Sequence, residues 1–445
     1  MYILSNFAIN TYIVKRYKLL FAILFLVNGV TRAQIITTYA GNGGTGVMIE
    51  GASATSTCTA LPGMGSFDAA GNYYTQNGSG RIRKITPTGI ITTVAGGGTI
   101  PGGGDGGPAT AAGLNCQGMH VDSAGNIYIA DYYNNKVRKV DAATGIINTI
   151  AGTGFSGSSG NGGPATAAAI ASWDVITDNA GNVYVTDNAA GTVRKIDAVT
   201  GIISDFSTIN GWMCFDAGYN YLYIGGATRI YRKNMSTGVI DTIAGTGIAL
   251  YNGDGIPATA ANFKASDIAL DPDGNIYIAE EFNDRVRMID ATGIIHTVAG
   301  TGASTYNGDN IAATAATIFN PEGLAFDKCG NLYIADDGNH RIRKITFDTS
   351  CGLGEDTSNH HVDVVNVNGS KAISVYPNPV WNELCVDGGY AGSYAITNIT
   401  GYAVLQGAIA AGKNTIPMGQ LPAGIYFIAL TGADGERKVV KIVKE

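Results

Sequence analysis

Residues 88–146 decide the fold, through TGIITTVAGGG at 88–98, GDGGPATAAGL at 104–114 and GMHVDSAGNIYIADYYNNKVRKVDAATGI at 118–146. Short runs rich in Val, Ile and Tyr alternate there with turns containing Gly and Asn, a pattern typical of β-hairpins. It predicts four strands, at 120–122, 126–130, 136–141 and 145–151. The only helix predicted is a turn at 108–112, where Pro108 can occupy the first helical position.

The same unit recurs along the chain. Its Gly-Asn type of turn begins at six places, which are evenly spaced except for one shorter step before the fourth: Gly71, Gly125, Gly181, Gly218, Gly274 and Gly330. A period of roughly 55 residues indicates a propeller or a solenoid, and four strands make one propeller blade. The chain has six three-strand sets and six strands of the GII type, the first of which, at 35–40, precedes the first set. We therefore predict an all-β fold containing a six-bladed β-propeller over 34–346, closed by antiparallel pairing of 35–40 with 341–346.

The repeats also carry a family resemblance, most clearly in GLAFD at 323–327, GNLYIAD at 330–336 and GNHRI at 338–342. These runs are similar to the NHL repeat, and the similarity covers about residues 35–346. The fourth unit departs from it, because NYLYIGG stands at 220–226 and the long GPAT-type insertion is missing. We expect the other insertions to lie on one face, with a low rim between residues 207 and 210.

Residues 1–33 have the layout of a secretory signal, with the basic stretch KRYK at 15–18, an apolar run at 19–27 and Thr31-Arg32-Ala33 before Gln34. An uncleaved membrane anchor is the alternative, but nine apolar residues are too few to cross about 30 Å of hydrocarbon. No transmembrane segment is expected after cleavage. The segment holds four basic residues and no acid, so its removal changes the formal net charge from −7 to −11. A surface this acidic argues against nucleic acid as a partner.

The C-terminal part follows a different pattern. Residues 347–372 have the composition of a linker. SVYPNP at 374–379, LPAGIYF at 421–427 and the basic segment 438–444 then resemble the type A sorting domain of the type IX secretion system. Residues 373–445 are predicted to form a small β-sandwich with strands at 394–399, 403–407 and 424–429, and an ordinary accessory β-domain is the alternative. The resemblance implies the type IX secretion machinery as partner, in a Bacteroidetes-type bacterium. It also implies periplasmic transit, followed by release or attachment at the outer-membrane surface.

Several polar residues repeat from unit to unit. One arginine recurs in the third strand, which indicates an architectural role: Arg83, Arg138, Arg194, Arg232, Arg287 and Arg343. Acids end the second strand in four units and are expected to brace neighbouring loops: Asp131, Asp187, Glu280 and Asp336. The insertions carry a further equivalent set, which could bind calcium or, alternatively, form turns: Glu50, Asp105, Asn161, Asp254 and Asp309.

A candidate ligand site lies where the first strands begin, around the mouth of the central channel. Its residues differ from unit to unit, as a site requires: Gln117, His120, Trp173, Asp174, Trp212, Asp267 and Glu322. In the alternative interpretation, Trp173 and Trp212 fill space beside the short fourth unit while the acids stay solvated.

Two functions fit this mouth. The first is recognition of a protein, peptide or glycan by the loop face of an exported propeller. The second is a lyase or hydrolase with an acidic, metal-assisted site, because some NHL propellers are lyases with histidine-bound metal. Of the five histidines, only His120 and His340 can approach the loop face. No catalytic residue or metal ligand is therefore assigned.

Six cysteines in an exported chain allow fifteen full disulfide connectivities. Their positions in the blades favour a Cys329–Cys351 bridge and, second, a Cys58–Cys116 bridge. Cys214 and Cys385 are expected to be free thiols.

Overall fold

The computed structural model describes residues 34–347 except 79, and then 362–363, 373–376, 383–388, 391–398, 402–422, 424–432 and 437–444. The chain divides into two compact units, Met1–Phe347 and Asp348–Glu445. The predicted signal at 1–33 lies outside the described residues, as does most of the predicted linker. A short strand, Val362–Asp363, falls within the linker range.

The described part of the first unit is built from six antiparallel sheets. Each holds four strands that follow one another in space, and sheets 2, 5 and 6 add a two-residue strand at the outer edge. Sheet 1 contains Pro62–Phe67, Tyr73–Asn77, Arg81–Ile85 and Ile91–Ala95. Sheet 2 contains Met119–Val121, Ile127–Asp131, Lys136–Val140, Ile146–Ala151 and Gly107–Pro108. Sheet 3 contains Ser172–Thr177, Val183–Asp187, Thr192–Ile196 and Ile203–Ser207.

The other three sheets repeat this arrangement. Sheet 4 contains Trp212–Phe215, Tyr221–Gly226, Arg229–Asn234 and Ile240–Ala244. Sheet 5 contains Asp267–Leu270, Ile276–Glu280, Arg285–Ile289, Ile294–Ala299 and Ile256–Pro257. Sheet 6 contains Pro321–Phe326, Leu332–Asp336, Arg341–Thr346, Ile35–Ala40 and Ile311–Ala312. The described part of this unit also has six single-turn 3₁₀ helices: Ala109–Ala111, Tyr132–Asn134, Ala165–Ala167, Ala258–Ala260, Ala313–Ala315 and Asp337–Asn339.

The predicted strands of sheet 2 agree with the observed ones to within about one residue at each end. The predicted helical turn is also present, although Pro108 precedes it instead of occupying its first position. Pro108 and Gly107 pair with Ile146 and Ile147, which adds the edge strand that the sequence pattern missed. Ala109, the first residue of this turn, is buried in an apolar cluster with Ala95 of sheet 1 and Ile147 of sheet 2, so the insertion packs between these two sheets.

The N-terminal strand pairs as predicted. Ile35–Ala40 lies antiparallel to Arg341–Thr346, with Ile35 opposite Thr346 and Ile36 opposite Ile345. Ile36 is completely buried in an apolar cluster that includes Ile334 and Ile345. Sheet 6 is therefore assembled from the two ends of the repeat region.

The first strands of the six sheets contact one another in chain order, and the first strand of sheet 6 also contacts that of sheet 1. Aromatic side chains cover the junction between these two sheets. The ring centroid of Tyr39 lies 5.9 Å from that of Tyr73 and 4.8 Å from that of Tyr333. Since these residues come from sheets 1 and 6, the junction is packed as an apolar core.

The described part of the second unit contains two antiparallel sheets. One contains Val362–Asp363, Ile373–Tyr376, Glu383–Gly388 and Asn414–Pro417. The other contains Ala403–Ile409, Gly392–Asn398, Gly424–Gly432 and Arg437–Lys444. Buried side chains of both sheets, such as Leu384, Ile416, Ile396 and Ile428, belong to a single hydrophobic cluster.

The cysteine predictions have mixed outcomes. Cys58 and Cys116 are both free, so the predicted bridge between them is wrong. The reason is that Cys116 belongs to the apolar cluster of sheets 1 and 2, where burial raises the pKa of its thiol to about 12. The sulfur of Cys58 lies instead beside Gly44 in the first insertion. Cys214 and Cys385 are free, as predicted. Cys329 is disulfide-bonded, and Cys351 lies outside the described residues.

Candidate functional site

The repeated arginine holds each insertion to its sheet. In sheet 2, Arg138 is completely buried and its Nη2 lies 2.8 Å from Asp105 Oδ1, while its Nη1 lies 3.4 Å from Asp131 Oδ2. Sheet 6 repeats this with Arg343, Asp309 and Asp336. Equivalent contacts occur in sheets 3 and 5: Arg194 with Asn161 and Asp187, and Arg287 with Asp254 and Glu280.

This network explains the polar residues of the insertions. In sheet 1, Arg83 Nη1 lies 3.0 Å from Glu50 Oε1. In every sheet that has an insertion, the equivalent insertion residue therefore accepts a hydrogen bond from the repeated arginine. The positive charge that calcium would supply is already present as a guanidinium. The expected bracing of loops by the second-strand acids is confirmed, because Asp131 accepts from the backbone N–H of Asn115 and Asp336 from that of Phe319.

Two sheets break the network. The residue seven positions before the arginine is Gln76 in sheet 1 and Gly225 in sheet 4, where the other sheets have an acid. Gln76 donates from Nε2 to the carbonyl oxygen of Gln117. Arg232 of sheet 4 keeps a partly exposed side chain, 3.6 Å from Asp241. Both exceptional positions, Gln76 and Gly225, line the same cavity.

The cavity has a volume of about 600 Å³, which is within the range of small-molecule sites. It lies where the first strands begin and the second strands end, and the short connection through Ile209 and Asn210 forms part of its wall. Its aromatic, amide and charged side chains come from all six sheets and their connections: Gln76, Gln117, Trp173, Asn188, Asn210, Trp212, Tyr231, Lys264, Glu281 and Glu322. The structure thus brings four residues of the predicted mouth together in one cavity: Gln117, Trp173, Trp212 and Glu322.

Aromatic side chains form one wall of this cavity. Trp173 and Trp212 have ring centroids 5.6 Å apart and planes inclined at 50°. Tyr132 packs edge-on against Trp173 at 5.0 Å, and Tyr133 packs against Tyr132. The contact with Tyr132 therefore favours the observed orientation of Trp173.

Charged residues lie on another part of the lining. Burial, together with the nearby charges of Asp337 and Glu281, raises the pKa of Glu322 to about 7. Glu322 is therefore partly protonated at neutral pH and can donate as well as accept a hydrogen bond. The ammonium of Lys264 lies 3.3 Å from the ring centroid of Phe282, a cation–π contact.

The two aspartates of the predicted mouth do not line this cavity. Asp174 and Asp267 are buried, so the expectation that the acids stay solvated is wrong for both. Asp174 Oδ2 accepts from the backbone N–H of Met213 at 2.9 Å, and Asp267 Oδ2 accepts from that of Leu324 at 2.7 Å. Each carboxyl thus joins two neighbouring first strands. At the equivalent position of sheet 2 only glycine fits, since a Cβ on Gly118 would lie 2.6 Å from Asp174 Oδ1.

The histidines are separated as well. His120 lines a second cavity of about 300 Å³ with Cys214 and Asp216, where burial lowers its pKa to about 4. His340 Nδ1 accepts from the backbone N–H of Leu61 at 3.3 Å. Neither Asp174 nor Asp267 lines a cavity with His120. Within the described part of the chain, no group of three or more His, Cys, Asp and Glu side chains is arranged to hold a metal ion.

Sequence reasoning missed Gln76, Asn188, Asn210, Lys264 and Glu281. The signal for Gln76 was present, because it replaces an acid that four of the other units repeat. Asn188 and Glu281 directly follow the second-strand acid, at a position that varies between units. The repeated residues hold the sheets together, whereas several positions that depart from the repeat line the cavity.

The amino-acid sequence matches two family models. Residues 374–445 match the secretion system C-terminal sorting domain, and residues 320–345 match the NHL repeat. The chain carries an NHL repeat and a type IX sorting domain. Both agree with the resemblances found in the sequence.

Curated relatives match part of the chain. The chain is 24% identical over 273 residues to protein SUPPRESSOR OF QUENCHING 1, chloroplastic, of Arabidopsis thaliana, a match covering 54% of this chain and 25% of that protein. It is 27% identical over 300 residues to NHL repeat-containing protein 2 of Gallus gallus, covering 64% of this chain and 38% of that one. The chain therefore spans well under half the length of these relatives.

Solved structures share the fold. An auxiliary nutrient binding protein of Bacteroides thetaiotaomicron superimposes with a TM-score of 0.55 at 18% identity, covering 70% of this chain and 76% of that one. A protein of the same description from Bacteroides ovatus gives 0.52 at 17% identity, with coverages of 70% and 76%. At such identities the similarity concerns the fold alone. Among the described residues of this chain, no helix has the length and apolar character needed to cross a membrane.

Proposed function

We propose that this chain is an exported binding protein whose 600 Å³ cavity recognises a protein, peptide or glycan at or beyond the cell surface. Residues 34–346 form a six-bladed propeller in this proposal. Its support is the six successive sheets, the contacts between their first strands and the strand Ile35–Ala40 that completes sheet 6. Residues 1–33 act as a secretory signal, 347–372 as a linker and 373–445 as a sorting domain with a sandwich fold.

The observation that carries the binding role is the contrast between cavity and scaffold. The buried arginine network is nearly the same from sheet to sheet, whereas the cavity draws varied side chains from the sheets. Gln117, Trp173, Ser266 and Glu322 come from matching positions just before or at the start of the first strand. Scaffold residues repeat because every sheet must pack alike, so varied side chains at matching positions around one cavity support recognition there.

The comparisons support the same role. A nutrient binding protein shares the fold, and the sorting domain supports delivery through the type IX machinery of a Bacteroidetes-type bacterium. Delivery of this kind places the cavity outside the cell, where its ligand would be met.

A hydrolase or lyase is the second candidate, and Glu322 is the observation in its favour. A carboxyl with a pKa of about 7 is suited to general acid catalysis. Turnover that is lost in Glu322→Gln, with ligand binding retained, would establish this alternative.

Delivery is tested by removing residues 373–445 in the native bacterium. The truncated chain is expected to accumulate in the periplasm with a protease-resistant propeller, while the full chain reaches the surface or the medium. Normal delivery of the truncated chain would contradict the role given to the sorting domain.

Recognition is tested by screening the purified full chain against immobilised proteins, peptides and glycans. Binding in any class should weaken in Trp212→Ala. The matched control is Phe155→Ala, because Phe155 is 76% exposed on an insertion and does not line the cavity. Binding that depends on Phe155 and not on Trp212 would place recognition elsewhere.

A further inference from the structure

We infer that the ligand of the 600 Å³ cavity is an uncharged carbohydrate, the end of a neutral oligosaccharide, with a sugar ring packed against Trp212 or Trp173. This rests on the proposed function and narrows it to one chemical class. The aromatic wall, the side-chain amides and the charge of the lining each support it.

The aromatic wall fits the C–H faces of sugar rings. A pyranose is amphipathic, with hydroxyl groups around its edge and apolar C–H groups on its faces, so it packs well on an indole. Trp173 and Trp212 supply two such surfaces inclined at 50°. Two surfaces at an angle suit two successive sugar units of a bent chain. Tyr132 holds Trp173 in place, so little conformational entropy is lost on binding.

The amide groups fit the hydroxyl groups of a sugar. Gln117, Asn188 and Asn210 are half-buried or exposed, and all three line the cavity. An amide offers two donors and a carbonyl oxygen, and a hydroxyl group can use both kinds of partner. Asn210 Nδ2 already donates to Asn188 Oδ1 at 3.2 Å, which orients the pair. Glu322, partly protonated at neutral pH, adds a further group able to donate or accept.

The charges of the lining disfavour an ionic ligand. One ammonium, from Lys264, stands against the carboxyl groups of Glu281 and Glu322, and burial weakens the ionisation of Glu322. The formal charge of the lining is therefore near zero or slightly negative. A polyanion would lack the arginine cluster that such ligands require, because the buried arginines are engaged in the scaffold network.

The experiment measures binding of neutral oligosaccharides to the purified full chain by intrinsic tryptophan fluorescence and by calorimetry. The chain has three tryptophans, and two of them line the cavity, so a sugar on the aromatic wall should change the emission. A neutral glycan array identifies the probe, with uronic-acid glycans and a peptide array run in parallel. We expect a neutral oligosaccharide to bind and its Kd to rise about tenfold or more in Trp212→Ala.

A second variant distinguishes loss of sugar binding from loss of folding. Asn210→Ala lies in a short connection outside the strands, and it should weaken the same sugar while leaving the melting temperature unchanged. Phe155→Ala should bind as the wild type does. Sugar binding that survives in both Trp212→Ala and Asn210→Ala overturns the assignment of the site.

The other outcomes separate this inference from the function on which it rests. Binding of a peptide or an acidic glycan that needs Trp212, with no neutral glycan bound, overturns the carbohydrate inference and leaves the binding role standing. Failure of every probe in all three panels overturns the carbohydrate inference, and failure of the protein screen as well overturns the binding role.

Discussion

At the scale of single residues, the buried Arg138 joins an insertion to its sheet through the carboxylates of Asp105 and Asp131. Its recurrence indicated an architectural role, which its contacts with Asp105 and Asp131 confirm. The partners could not be predicted, because Asp105 is distant from Arg138 in the sequence and lies in an insertion that resembles a turn. A calcium site and an arginine partner require the same carboxylates, and only the fold distinguishes them.

We predict that Arg138→Ala lowers the free energy of unfolding by about 3–5 kcal/mol, because it leaves the buried carboxylate of Asp131 without its positive partner. Arg232→Ala is the matched control. Its side chain is 37% exposed and lies 3.6 Å from Asp241, so its loss should cost about 1 kcal/mol or less. Chemical denaturation followed by circular dichroism measures both. Equal losses would show that burial of the network contributes nothing.

Asp174 should make the stability of the propeller depend on pH. Burial raises its pKa to about 7, compared with about 3.9 in an unfolded chain. Between these values the folded state keeps a proton that the unfolded state releases, so stability falls as the pH rises from about 4 to about 7. Asp174→Asn cannot titrate. We therefore expect the melting temperature of the variant to increase relative to the wild type between pH 5 and pH 8.

Asp241→Asn serves as the control for this pH series, since its side chain is 56% exposed. It should follow the wild type at every pH. A constant difference between Asp174→Asn and the wild type across the series would contradict the prediction.

At the scale of strands, the alternation of apolar and turn residues predicted the four main strands of each unit. It missed the edge strands Gly107–Pro108, Ile256–Pro257 and Ile311–Ala312 because two residues carry no periodicity. These strands form when the insertion folds back on the outer strand, a tertiary contact with no local signal. The pairing of the N-terminal strand Ile35–Ala40 with sheet 6 was predictable, because it follows from counting strand types and not from a local pattern.

The N-terminal strand Ile35–Ala40 supplies a test at this scale. Ile36 is completely buried between Ile345 and the two-residue strand at Ile311, so Ile36→Ala should cost about 2–4 kcal/mol of unfolding free energy. Ile35 precedes it in the same strand but is 38% exposed, and Ile35→Ala should cost less than about 1 kcal/mol. Urea denaturation of both variants measures these losses of unfolding free energy. A small effect of Ile36→Ala would mean that the strand is not needed to stabilise sheet 6.

At the scale of the whole molecule, four of the seven residues predicted around the mouth line the cavity, and His120, Asp174 and Asp267 do not. Four lining residues were found because they stand at the entrances of first strands, a position fixed by the repeat: Gln117, Trp173, Trp212 and Glu322. Asp174 and Asp267 stand one residue further along, and alternation along a strand turns their side chains away from the cavity and into backbone contacts. The lining residues and the two buried aspartates differ by one position along the strand. Only the pairing of the strands determines which position faces the cavity.

The disulfide bond of Cys329 tests how residues beyond sheet 6 are joined to it. This residue lies in the turn between Pro321–Phe326 and Leu332–Asp336, where its backbone N–H donates to Asp327 Oδ1. The third strand of sheet 6 ends at Thr346, shortly before Cys351, which is within reach of that turn for an extended chain. We expect Cys329 to pair with Cys351.

Peptide mapping without reduction should recover the two as one disulfide-linked species. Cys351→Ser should lower the melting temperature of the oxidised protein only, because the lost crosslink restricts the unfolded chain. Cys385 has a free thiol, so Cys385→Ser should change neither form. Recovery of Cys329 linked to any other cysteine would refute the pairing.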